Sequence, residues 1–144
     1  MYKVLTLGIK VLYMDEIREF EIEFEKYTGA KHAIACSSGT SALHSAMIAV
    51  GLGDGEKVIT SPFTFIASAN CVLYERGIPV FVDIDPDTLC IDPSKIVDYL
   101  IISNDKPVGI IPVHLFGKPC NMTPIMKIAK AFNLWVVEDC AQAF

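Results

Sequence analysis

Short apolar runs and amphipathic stretches alternate along the chain, and this alternation sets the expected elements. Runs rich in β-branched and apolar residues predict strands over Ala33–Ser37, Lys57–Ser61, Pro79–Ile84, Val108–Leu115 and Leu134–Asp139. Helical stretches lie between and before them. Ile17, Phe20, Phe24 and Tyr27 space an apolar stripe at i, i+3, i+7 and i+10 on an otherwise Glu-rich segment. Thr40 to Val50 predicts a helix ending at Gly51, a residue free to adopt a left-handed cap. Asp92-Pro93 and Thr123-Pro124 each set a capping side chain ahead of a first-turn proline. After the second of these, Ile125, Ile128, Ala129 and Phe132 form the expected buried face.

Strand–helix alternation of this kind predicts the α/β class, a mostly parallel sheet with flanking helices joined by βαβ units. The apolar run from Pro107 to Phe116 suits a strand buried on both faces. No internal repeat, low-complexity tract or linker breaks the pattern, and 144 residues is the usual size of one domain. In such sheets ligands bind beyond the carboxyl ends of the strands. Chemistry is therefore expected in the residues that follow each strand.

Composition narrows the function classes. The chain is apolar (52% hydrophobic, mean hydropathy +0.42) and mildly acidic, with a net charge of −5. Its twelve basic residues are scattered, which argues against a nucleic-acid surface, because phosphate binding draws affinity from clustered Lys and Arg. The longest apolar stretches are broken by His, Pro, Gly or charge before the roughly 18 residues of a membrane span. Met1 to Lys10 is too short and weakly patterned for a signal peptide. Five widely spaced cysteines without a CxxC pair indicate neither a zinc knuckle nor a disulfide framework. Reduced thiols in a cytoplasmic protein are the simplest account.

The post-strand residues carry the candidate chemistry. Cys36-Ser37-Ser38-Gly39-Thr40-Ser41 opens a helix, where small residues admit an anion to backbone N–H groups and the helix dipole favours it. The same segment also reads as an ordinary N-cap. Phe63 and Phe65, after the second strand, either stack on a flat heteroaromatic ring or fill the core. Asp83-Ile84-Asp85-Pro86-Asp87-Thr88 has the D-x-D-x-D spacing of a calcium loop but lacks its glycine and its closing Glu, so an Asx/Pro turn is expected. His114 faces a ligand or serves as a hydrogen-bonded wall residue, while His32 and His44 are expected to be structural. Three histidines without HxxxH-type spacing do not suggest a metal site. Glu138 and Asp139 close the fifth strand on opposite sides, so they are not an acid–base pair. A buried carboxylate there calls for a positive partner, and a pyridinium nitrogen is a suitable one.

Taken together, these residues resemble the DegT/DnrJ/EryC1/StrS family of sugar aminotransferases, of the fold-type-I pyridoxal-phosphate architecture. The similarity runs from about Leu7 to Phe144. It is carried by CSSGTSALH (Cys36–His44), SPFTFIASAN (Ser61–Asn70), PVFVDIDPDT (Pro79–Thr88), IDP (Ile91–Pro93), IIPVHLFGKP (Ile110–Pro119) and VVEDCAQAF (Val136–Phe144). Six blocks in the right order and spacing make a specific match.

The resemblance implies that residues 1–144 are part of a fold-type-I aminotransferase large domain that holds pyridoxal 5'-phosphate (PLP). Gly39, Thr40 and Ser41 would hold the cofactor phosphate, Phe65 would stack on the pyridine ring, Asp139 would pair with the ring nitrogen, and Gln142 would lie near the phenolic oxygen. It also implies a nucleotide-sugar substrate, an amino-acid donor, and a homodimer or a complementing chain. The family's Schiff-base lysine lies some tens of residues beyond the position matching Phe144, so no catalytic residue is expected among the lysines present, and the nucleophile would be missing. The family's N-terminal arm would also be short. Two sheet strands would fall beyond Phe144, leaving Ala33–Ser37 without neighbours and the fifth strand as an open edge. A non-catalytic ligand-binding or regulatory module of the same fold is the alternative.

Overall fold

The computed structural model describes residues 14–143. The expected matches at Leu7 to Lys10 and at Phe144 lie outside the described residues. The chain divides into two compact units, Met1–Ser37 and Ser38–Phe144.

In the first unit, helix α1 spans Met14–Thr28, with Asp15 and Glu16 in its first turn and Lys26 in its last, the charge order the helix dipole favours. The predicted stripe is on this helix, but Ile17, Phe20 and Tyr27 are exposed and Phe24 is half-buried. Gly29 follows the helix with a positive φ of 72°. The strand expected over Ala33–Ser37 does not form. A strand exists only where a neighbour takes up its alternate amides. Here the Ala33 and Ala35 N–H groups donate instead to carboxylates of α1, Glu25 Oε1 at 3.0 Å and Glu21 Oε1 at 2.9 Å.

The second unit is a four-stranded parallel sheet with helices on both faces, as the α/β expectation required. Its elements run α2 (Gly39–Ala49), β1 (Lys57–Thr60), α3 (Ala67–Tyr74), β2 (Ile78–Phe81), α4 (Pro93–Ile102), β3 (Pro107–Ile111), a 3-10 turn (Leu115–Gly117), α5 (Met122–Phe132) and β4 (Trp135–Val136). All pairings are parallel, in the order β2-β1-β3-β4. Beyond β4 the two strand ends stay in register through a parallel bridge between Val113 and Asp139.

Alternation along the strands divides the core into two layers. Val58 and Ile111 pack with Leu43, Met47, Ala67, Cys71 and Val72, the layer under α2 and α3. Ile59 and Ile110 point the other way and pack with Ile96, Ile125, Ile128 and Ala129 of α4 and α5. The central strands β1 and β3 are thus buried on both faces, which is why they read as unbroken apolar runs, while the outer strands β2 and β4 are only partly covered. Gly109 on β3 has no room for a side chain, since a Cβ would meet the Trp135 ring at 2.3 Å.

Most of the predicted ends are in place. Gly51 follows α2 with φ 74°, and Asp92 caps α4 by accepting from the Ser94 N–H ahead of Pro93. Asp85 Oδ1 accepts from the Asp87 and Thr88 amides, the expected Asx turn, and those bonds hold its carboxyl below the usual range. Two expectations fail. Helix α5 begins at Met122 with Asn121 as its cap residue, so Thr123 lies inside the first turn and does not cap it. Phe132, the last residue of α5, is 44% exposed, because the buried stripe ends one turn earlier.

All five cysteines are free, with Cys71, Cys90 and Cys120 buried and Cys36 and Cys140 exposed. Burial pushes the Cys71 thiol up to about 11 and the Cys120 thiol up to about 12. Thiolate is the reactive form. A neutral thiol reagent counted by mass should therefore label Cys36 and Cys140 in the folded chain and all five in denaturant. Rapid labelling of Cys71 or Cys120 in the folded chain would contradict this packing.

Candidate functional site

The order β2-β1-β3-β4 means the chain leaves β1 in one direction to form β2 and resumes on its other side with β3. The topological switch point thus lies between β1 and β3, where an open α/β sheet presents its ligand crevice. A cavity of about 190 Å³ occurs there, lined by Gly39, Thr40 and Leu43 of α2, Thr64, Phe65 and Ala67 after β1, Val113 after β3, and Asp139, Ala141 and Gln142 after β4. It is small beside the roughly 300–1,000 Å³ of drug-sized sites, and suits a single-ring ligand. A second opening of about 380 Å³ adjoins it and shares Gly39, Leu43, Asp139 and Ala141.

Five of the six residues singled out from the sequence meet at this cavity: Gly39, Thr40, Phe65, Asp139 and Gln142. Ser41 does not line it. Its amide donates to Ser38 Oγ at 3.1 Å, and the two hydroxyls lie 3.0 Å apart, so Ser41 belongs to the N-cap. Ser38 holds an extended conformation (φ −162°) and its carbonyl accepts the Ala42 amide. The first two helical amides, those of Gly39 and Thr40, have no partner within their 11-residue helix.

Asp139 is 6% exposed, yet no Lys or Arg among the described residues pairs with it. Its oxygens are held by neutral donors: Oδ2 accepts from Ser68 Oγ at 2.7 Å and Oδ1 from the Ala141 N–H at 3.1 Å. A buried carboxylate so held lacks the positive counterpart that offsets its desolvation. Phe65 also lines the cavity and is 68% exposed, so it is not core. Gln142 Oε1 accepts the Phe116 N–H at 2.7 Å, which leaves its amide N–H groups as the donors. Phe116 is in the left-handed region (φ 54°), a costly conformation for an aromatic residue. Its ring meets Phe63 edge-on at 6.4 Å.

Residues 3–144 match the sequence pattern of the DegT/DnrJ/EryC1/StrS aminotransferase family. The chain belongs to that family. GDP-perosamine synthase of Caulobacter vibrioides is 50% identical over 127 residues, covering 88% of this chain and 33% of the relative. Among solved structures, the aminotransferase from Psychrobacter cryohalolentis aligns at a TM-score of 0.84 and 45% identity, over 90% of this chain and 32% of that one. The Bacillus subtilis protein ntda with bound cofactor PMP aligns at a TM-score of 0.83 and 40% identity, over 89% of this chain and 29% of that one. The chain therefore spans about a third of the length of the relatives it matches.

In this family member the carboxyl ends of β3 and β4 are joined by His114, which the sequence left as either ligand-facing or wall. It is buried, and its backbone amide donates to the Asp139 carbonyl at 3.0 Å. Its ring Nδ1 accepts the Cys120 amide at 3.0 Å, so Nε2 carries the proton and donates it to Glu138 Oε2 at 2.9 Å. His114 is thus a wall residue. Ligand atoms of His114, Glu138 and Cys140 lie within 4.8 Å of one another. With its Nδ1 lone pair spent on a backbone N–H, however, the ring has no free nitrogen for a metal. Glu138 and Asp139 do point apart as alternation required, one to His114 and one to Ser68.

Sequence reasoning passed over Ser68, Thr64, Val113 and Ala141. Ser68 and Ala141 lie inside the SPFTFIASAN and VVEDCAQAF blocks, but only the fold shows which carboxylate they serve. Among the described residues, no helix is long and apolar enough to cross a membrane.

Proposed function

We propose that this chain is the cofactor-holding portion of a PLP-dependent aminotransferase whose substrate is a nucleotide-linked keto-sugar and whose amino donor is an amino acid such as glutamate. The observation that carries the reading is Asp139, a buried carboxylate without a cation among the described residues, lining a one-ring cavity that an exposed aromatic also lines. A protonated pyridine nitrogen supplies the missing charge. The substrate class rests on the family and on the relative named GDP-perosamine synthase. Surface polysaccharide or secondary-metabolite sugar synthesis in the cytoplasm is the matching setting.

Each cavity residue has a definite task. Asp139 accepts the ring N–H and orients the ring. Phe65 covers one ring face and excludes water from it. The Gly39 and Thr40 amides, with the Thr40 hydroxyl, receive the phosphate at the positive end of α2. Gln142, its Oε1 engaged by Phe116, donates toward the phenolic oxygen. PLP, when bound, supplies the electron sink on which amino transfer depends. Among the described residues no lysine lines the cavity, so these residues bind and orient the ring and do not supply the nucleophile.

Titrating the purified chain with PLP, followed by visible absorbance, tests this. Saturable binding is expected, weakened about three- to tenfold in Phe65→Ala by loss of the stack. Absence of saturable binding by the folded chain would overturn the assignment.

A further inference from the structure

Ser68 lies on α3, is fully buried, and is joined to both walls of the cavity. Its Oγ is 2.7 Å from Asp139 Oδ2 and 3.3 Å from the Phe65 carbonyl, and its backbone N–H donates to that same carbonyl at 3.2 Å. The residue therefore sits between the group assigned to the ring nitrogen and the group assigned to the ring face. A serine hydroxyl has one proton and two acceptor lone pairs. The carboxylate, closer and charged, takes the proton, since charge-assisted hydrogen bonds are the stronger.

Thr64 fixes this direction. Its Oγ1 lies 3.1 Å from Ser68 Oγ, and Thr64 itself lines the cavity. Once Ser68 has given its proton to Asp139, its oxygen can only accept, so the Thr64 hydroxyl donates to it. Thr64, Ser68 and Asp139 form a one-way chain of hydrogen bonds running from the cavity wall to the carboxylate. With the Ala141 amide on Oδ1, both oxygens of Asp139 are held from fixed elements, one from α3 and one from its own turn. Such bonds fix where the carboxylate oxygens point, and so where a ring N–H would meet them.

We propose that Ser68 is a positioning residue for PLP: its hydroxyl, backed by Thr64, holds the Asp139 carboxylate fixed against the ring nitrogen and ties it to the segment bearing Phe65. The proposal rests on the reading of this cavity as a PLP site. It adds two residues, neither of which needs to touch the pyridine nitrogen.

The test is PLP titration of the folded chain and its Ser68→Ala, Thr64→Val and Thr64→Ser variants, together with the melting temperature of each without cofactor. Ser68→Ala is expected to bind PLP about tenfold more weakly, the size of a lost hydrogen bond to a charged group. Thr64→Val, which keeps the shape and loses the donor, is expected to bind about threefold more weakly. Thr64→Ser restores the hydroxyl and is expected to restore wild-type affinity. The absorbance of bound PLP should also change with pH differently in Ser68→Ala, since that band reports the ring nitrogen's proton; a merely structural role would leave it unmoved.

If wild type binds PLP while both Ser68→Ala and Thr64→Val bind it as tightly and with the same pH profile, this proposal fails and the PLP site stands. If wild type itself does not bind, the site assignment fails and takes this proposal with it. Should Ser68→Ala prove unfolded, Thr64→Val decides the matter, and wild-type affinity and pH profile in that variant overturn the proposal.

Discussion

The Asp139→Asn chain should lose PLP affinity by about 100-fold while melting no lower than wild type. Both halves of this expectation come from the same geometry. Truncating one partner of a buried, hydrogen-bonded charge pair costs about 2–5 kcal/mol of binding, of which 2.7 kcal/mol corresponds to a factor of about 100. Asn keeps the shape of the side chain: its single oxygen can accept the Ala141 N–H, and its NH2 can donate to Ser68 Oγ, whose own proton then turns to the Phe65 carbonyl. It cannot offer a negative charge to a protonated ring nitrogen. In the free chain the balance runs the other way, because Asp139 is buried without a cation and pays its desolvation against neutral donors alone. A neutral amide removes that penalty. Calorimetry and a PLP titration on one preparation measure both. If affinity and melting temperature fell together, Asp139 would be a structural residue and the cavity would need another explanation.

Gly109→Ala should destabilise the fold more than any exposed substitution, by about 3 kcal/mol, the upper end for overpacking a close-packed site. Gly109 is on β3, between β1 and β4, and a Cβ there would meet Trp135 ring atoms at 2.3–2.4 Å. The obstacle is an indole held in its own strand, so relief requires β4 to move away from β3. The bridge between Val113 and Asp139, and with it the far wall of the cavity, would shift in consequence. Adding Trp135→Leu removes the obstacle. The double variant should be less destabilised than the sum of the single ones, a coupling that denaturant unfolding of all four chains measures directly. Additivity would mean that the close approach of Gly109 and Trp135 imposes no constraint.

The sequence was most legible where a residue's role is set by its immediate neighbours. Gly51 and Asp92 announce their caps because a left-handed turn and a side-chain acceptor are decided within a few residues. Asp85 is legible for the same reason, its partners lying two and three residues on. The reading failed where the outcome depends on distant chain. Ala33–Ser37 has strand composition, but its amides find glutamates on the preceding helix. Phe132 fits the period of α5, yet the buried stripe of that helix stops at Ala129. Thr123 resembles a cap, and the helix begins two residues earlier, with Asn121 in the cap position.

The site divides along the same line. Gly39, Thr40, Phe65, Asp139 and Gln142 were accessible through the order of the blocks that carry them, and the fold brings these five to one cavity. Ser41 shared a block with Gly39 and Thr40, but its amide is taken by the Ser38 cap, a competition that spacing alone does not reveal. Ser68 is 71 residues from the carboxylate it serves, and no local pattern connects a buried serine on a helix to an aspartate beyond a distant strand.

One consequence follows from where the cavity walls originate. Residues 39–43, 64–67, 113 and 139–142 converge only when α2 is packed on the sheet and β1, β3 and β4 are paired in order. An unfolded chain offers no such cavity, so whatever occupies it draws the folding equilibrium toward the native sheet. At a ligand concentration 100 times its dissociation constant this linkage is worth about 2.7 kcal/mol, a large fraction of the stability of a small domain. A cofactor of this cavity would then act as a folding ligand too, and its supply would set how much of the chain is native at any moment.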